Sequence, residues 1–136
     1  MNVLLALTDS THVHHRRTMN WFNAEVTDWA TCAIAENGFL RIISHPAYPA
    51  PVSGVEAAMG LLAEQYVVAG WRFWGDDVSI LDVLEPGVAI THSQITDLYL
   101  LGLAAHKGGR LATLDSRINA SAVRGGREAF FVIPVG

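Results

Sequence analysis

Charge is scarce in this chain: 16% of its 136 residues are charged and 51% are apolar. That balance excludes a disordered or highly solvated polypeptide and points to a well-packed globular protein. The formal net charge is −4, so the basic footprint of a general nucleic-acid binder is missing. A nuclease is not thereby excluded, because a metal site needs acids and the bound cations offset their charge. Cysteine is almost absent. Cys32 stands alone, which rules out an intrachain disulfide and fits a reducing compartment, so a cytoplasmic location is expected. No apolar run is long enough to span a membrane, and the N-terminus lacks the basic, apolar and cleavage regions of a signal peptide. No GxGxxG, Walker loop, GxSxG elbow or HExxH occurs, which leaves dinucleotide, nucleoside triphosphate, serine-hydrolase and zincin readings without support. Internal repeats and low-complexity tracts are also missing. The length suits one domain, residues 1–136, with one core.

What is present is an alternation of helical patterns with short apolar strands. Met1 to Leu7 is an apolar run that suits strand or helix on pattern alone. Ser10 or Thr11 can cap a helix through His15, Met19 and Trp21-Phe22. Trp29 to Ile34 reads as a buried strand carrying Cys32 as an inert core residue, and Ala35 to Ile43 as a helix with Phe39, Leu40 and Ile43 facing inward. Pro46, Pro49 and Pro51 mark a loop. Ser53 and Glu56 form a capping box for a helix from Gly54 to about Ala69. Arg72 to Trp74 is a brief strand, Gly75-Asp76-Asp77 a turn, and Ser79 to Leu84 ambiguous. Thr96 caps a helix that stops at Gly108-Gly109. Leu111 to Leu114 is a strand, Arg117 to Val123 a helix and Ala129 to Ile133 a last strand. Such alternation predicts the α/β class, with a parallel sheet covered by helices on both faces.

The candidate chemistry lies in Glu36, Asp97 and Asp115. Each follows an apolar strand or opens a helix that leads into one. Taken singly, each has a structural explanation. Asp97 suits a helix N-terminus, Asp115 an N-cap and Glu36 a solvated face. Taken together, such positions converge at the carboxyl edge of a parallel sheet. Three clustered carboxylates repel unless a cation or a proton intervenes, which favours Mg²⁺ or Mn²⁺. His12, His14 and His15 do not share a helix face and read as a solvent-facing helix start. Trp21, Trp29, Trp71 and Trp74 read as core or dimer-interface residues, not as base-stacking platforms, and Asp76-Asp77 as a turn.

The ordered set of these segments resembles the PIN-domain ribonucleases, specifically VapC-type toxins of bacterial toxin–antitoxin pairs. The resemblance covers nearly the whole chain. It runs through Asn2 to Leu7, His12 to His15, Trp21-Phe22, Trp29 to Phe39, Phe73 to Asp77, Thr96-Asp97 and Gly109 to Asp115. The family carries four acids, and Glu36, Asp97 and Asp115 match three. The first acid normally ends a first strand that lies in the middle of the sheet. In this alignment it falls immediately before Met1. The resemblance therefore implies a PIN-like α/β/α sandwich lacking its first central strand, and a coding sequence that begins a few residues upstream with a valine codon read as the start. It also implies that Val3 to Leu7 is a helix capped by Asn2. Asp9 would sit at the far end of that helix and is not assigned to the site. Loss of a central strand would leave backbone groups unpaired at about 1–3 kcal/mol each.

What the resemblance implies for function is a Mg²⁺- or Mn²⁺-dependent endoribonuclease. Glu36, Asp97 and Asp115 would be metal ligands or would orient metal-bound water, with Asn2, Thr113 and Ser116 in support. RNA would be the substrate. A small antitoxin, reaching into the acidic cleft with a basic side chain, and a second copy of the chain would be the partners. Two other readings stay open. One is a catalytically impaired module that binds antitoxin and dimerises without cleaving RNA. The other is an ordinary α/β domain whose acids are only caps. Separating RNA from DNA is beyond the residues themselves.

Overall fold

The computed structural model describes residues 2–49 and 52–135; Met1 and Pro51, which figure in the sequence reading, lie outside the described residues. The chain is α/β, as expected, and divides into two compact units. The first runs to Gly75 and includes Pro134 and Val135; the second is Asp76–Ile133.

The first unit opens with α1 (Asn2–Thr8), which settles the ambiguous N-terminal run as a helix that begins at Asn2 itself. A turn leads into α2 (His15–Glu25), so the expected caps Ser10 and Thr11 lie before the helix. His14 occupies the cap position and makes no side-chain cap bond. The histidine tract is not simply a solvent-facing helix start: His15 Nδ1 donates to the Ala6 carbonyl at 2.6 Å and ties α2 back to α1. Then follow β1 (Trp29–Cys32), α3 (Ala33–Ile43), α4 (Val55–Gln65) and β2 (Trp71–Trp74). The Ser53 capping box does not form. Gly54 takes the cap at φ 108°, a conformation that disfavours a side chain, and α4 stops at Gln65. Strand β1 pairs parallel with β2, Trp29 opposite Trp71 and Cys32 opposite Trp74. Parallel pairing needs a long crossover, which α3 and α4 supply. Leu4 and Leu5 of α1, Phe39 and Ile43 of α3, and Ala58 and Leu62 of α4 form its core. Leu40 is only half-buried at the rim of that cluster.

The second unit is built on α6 (Ile95–His106), the most apolar helix, with Leu98 to Ala104 all buried. Its lead-in is capped by Thr91, not Thr96: a single turn over His92–Gln94 carries a capping box between Thr91 and Gln94. The short α5 (Ile80–Val83) is capped by Ser79, whose hydroxyl accepts the Leu81 N–H. Strand β3 (Leu111–Thr113) pairs parallel with β4 (Phe130–Val132), and α7 (Gly126–Ala129) precedes β4. The helix expected over Arg117 to Val123 is only a turn at Ala120–Ala122. Asn119 accepts both the N–H and the hydroxyl of Ser121, so local side chains compete with the helical ladder there.

Each unit thus holds one parallel pair among the described strands. Among the described residues, no helix is long and apolar enough to cross a membrane.

Candidate active site

Glu36 lies in the first turn of α3, immediately after β1. Helical side chains lean toward the N-terminus of their helix, which turns Glu36 back onto the strand. Thr31, buried on β1, donates its hydroxyl to Glu36 Oε2 at 2.6 Å. Tyr66, just past α4, donates to Glu36 Oε1 at 2.9 Å. Behind Thr31, the Trp71 indole N–H donates to the threonine hydroxyl at 2.9 Å. The Tyr66 and Trp71 rings stack at 4.2 Å between centroids. Partial burial, and then the bond to Glu36, raise the Tyr66 hydroxyl above the ordinary tyrosine range. Glu36 is therefore not a solvated surface acid but the end of a relay of three side chains.

Asp97 occupies the first turn of α6 and is half-buried. Asp115 follows β3, and Thr113 Oγ1 accepts its backbone N–H at 3.0 Å. Its carboxylate accepts the N–H of Arg117 at 2.9 Å and the Arg117 guanidinium at 3.0 Å. That guanidinium, with the backbone bond behind it, holds the Asp115 carboxyl below its usual range. The bond two residues on is the one an N-cap makes, but no helix follows, so Asp115 closes a turn. Of the supporting residues, Asn2 begins α1, Thr113 is buried and Ser116 is exposed.

Asp9 is 8% exposed and belongs to the scaffold. It accepts the N–H and hydroxyl of Thr11 at 2.9 and 2.7 Å, and the Tyr48 hydroxyl at 2.8 Å. Burial works to raise its pKa, but the hydrogen bonds outweigh it and hold the carboxyl below the ordinary range. Burial and the same bond push Tyr48 up to about 12.

Within the first unit the structure places Glu36 alone of the three expected acids; Asp97 and Asp115 belong to the second. Among the described residues no three His, Cys, Asp or Glu side chains are grouped to hold a metal ion. Glu36 and Asp115 accept hydrogen bonds from Thr31, Tyr66 and Arg117, and each carboxylate keeps further lone pairs. Thr31, Tyr66, Trp71 and Arg117 escaped the sequence reading. Only the Asp115-Ser116-Arg117 spacing carried a local signal, that of an aspartate turn.

No family model and no solved structure matches the chain. Curated relatives do. Ribonuclease VapC44 of Mycobacterium tuberculosis (strain ATCC 25618 / H37Rv) is 44% identical over 128 residues, 92% of this chain and 89% of that protein. The chain belongs to the VapC ribonuclease family. Ribonuclease VapC38 of the same strain is 39% identical over 87% of this chain and 84% of its own length. Ribonuclease VapC39 is 36% identical over 92% of both. Membership in the VapC family agrees with the PIN-like α/β/α class and with the resemblance carried by the acidic segments.

Proposed function

We propose that this chain is a ribonuclease toxin of a toxin–antitoxin pair, acting on cellular RNA in the cytoplasm and neutralised by a small cognate antitoxin. The observation that carries this reading is the likeness, along 92% of the chain, to proteins named ribonucleases. In the hydrolysis, a water oxygen bonds to phosphorus, the bond from phosphorus to O3′ breaks, and the departing oxygen takes up a proton. The downstream fragment keeps a 5′-phosphate. Among the described residues Asp97 is the one expected site acid with no hydrogen bond or ion pair, so its carboxylate is available to take the proton from water. Glu36, held by Thr31 and Tyr66, is a fixed negative charge. Thr113 and Ser116 are hydroxyls suited to a phosphate oxygen, and Asn2 is an amide suited to orient water. Mg²⁺ or Mn²⁺ is the expected requirement, and Glu36, Asp97 and Asp115 are the carboxylates that would hold it. A second copy of the chain is the other partner in this reading.

The second reading is a module that binds antitoxin and dimerises without cutting. Incubation of mixed tRNA and rRNA with the protein and Mn²⁺ separates the two. Fragments with 5′-phosphate ends, lost on adding chelator, are expected. An intact RNA pool beside a folded, antitoxin-binding protein would favour the second reading.

A further inference from the structure

Tyr66 bonds Glu36 directly, Trp71 is linked to it through Thr31, and Phe73 is the strand partner of Thr31. Tyr66 stacks on Trp71, its ring inclined by 23° to the indole. Side chains alternate along a strand, so Trp71 and Phe73 share one face of β2. Thr31 is the register partner of Phe73 and bonds the Trp71 indole, which puts Thr31 on that same face. Tyr66 is 39% exposed and Phe73 50% exposed. The Tyr66 hydroxyl is bonded to Glu36 and the Trp71 N–H to Thr31, so neither ring has a free donor. The Tyr66 and Phe73 side chains are both open to solvent.

We propose that Tyr66, backed by Trp71, and Phe73 form a stacking platform for unpaired RNA bases beside Glu36. The proposal rests on the RNA-directed reading above. Bare ring faces stack any base and read no base edge, so the platform is sequence-tolerant. Bases offer their faces only where they are unpaired, so it selects loops and single strands over duplex. Tethering of the Tyr66 hydroxyl to Glu36 would set a stacked base in fixed register with that carboxylate.

Binding of a fluorescein-labelled, unstructured 10-nucleotide RNA, followed by anisotropy with chelator present, tests the platform without cleavage. Tyr66→Leu and Phe73→Leu are each expected to weaken binding roughly 5- to 100-fold. An oligonucleotide of the same length with abasic positions is expected to bind the wild type as weakly as the intact RNA binds the leucine variants. Phe73 is half exposed, so its variant tests the platform even if Tyr66→Leu fails to fold. The proposal is overturned if the wild type does not distinguish intact from abasic RNA, if it binds neither, or if Phe73→Leu keeps wild-type affinity. Loss of self-association in place of RNA affinity would assign the face to a protein partner and overturn it too. Binding that behaves as expected in a protein that never cuts RNA would sink the ribonuclease reading and leave the platform standing.

Discussion

Two carboxylates show how the same residue type takes different work from its neighbours. Asp9 is buried in a scaffold of Thr11 and Tyr48, whereas Asp115 is gripped at the surface by Arg117. Tyr48→Phe removes a hydrogen bond to a charged group, and a loss of about 1.5–3 kcal/mol is expected in urea unfolding at pH 7. The pH dependence follows from the directions of the shifts. The folded Asp9 carboxyl sits below its unfolded value, so its contribution is full above the ordinary carboxylate range and is lost as pH falls through the lowered value. The gap between wild type and Tyr48→Phe should therefore narrow below about pH 4. Tyr48 is raised to about 12, so on the alkaline side its contribution is full below pH 10 and is lost as pH rises through 12. For Asp115, Arg117→Gln should move the carboxyl titration upward toward the ordinary range, read by carbon-13 NMR, and barely move the unfolding midpoint, because Arg117 is 88% exposed. The family resemblance left Asp9 out of the site, at the far end of a short helix, and the structure bonds it there to Thr11 and Tyr48. That Glu36 would be held by Tyr66, thirty positions along, was not legible in the sequence, because only the fold brings them together.

At the scale of elements, the apolar periodicity was enough to place β1, α3, β2, α6 and β3 within a few residues of their observed bounds. Their ends were less legible, because several hydroxyls compete for each cap. The sequence reading chose Thr96, yet Thr91 has Gln94 three positions on to complete the reciprocal bonds. The segment after Asp115 misled for a related reason: its apolar residues fit a helical spacing, while Asn119 and Ser121 bond locally and break it. Packing between elements left one sharp mark. Gly102 of α6 lies against Val83 of α5, and a Cβ there would come within 2.5 Å of Val83 Cβ. Gly102→Ala should destabilise by about 1–3 kcal/mol through overpacking. Val83→Ala, which keeps Cβ but removes the two Cγ atoms crowding the same spot, should restore part of that loss in a double-mutant cycle by chemical denaturation. Additive losses would mean that the two helices are not in the contact described.

For the whole molecule, the α/β class and the parallel pairing were readable from the alternation of elements, and family membership rests on the match to VapC ribonucleases along most of the chain. The reading of three acids as one centre was less secure. Strand ends and helix starts correctly located Glu36, Asp97 and Asp115, but nothing in their spacing foretold that Glu36 and Asp115 would already be bonded within their own units. The central claim is that this chain cuts RNA and that Asp97 carries the proton transfer. The most direct measurement compares cleavage of mixed tRNA and rRNA by the wild type and by Asp97→Asn, both with Mn²⁺ and both confirmed folded by circular dichroism. Expected are 5′-phosphate fragments from the wild type and a loss of rate of about 100-fold or more in the variant. Equal cutting by the two proteins, or none by either, would contradict the claim.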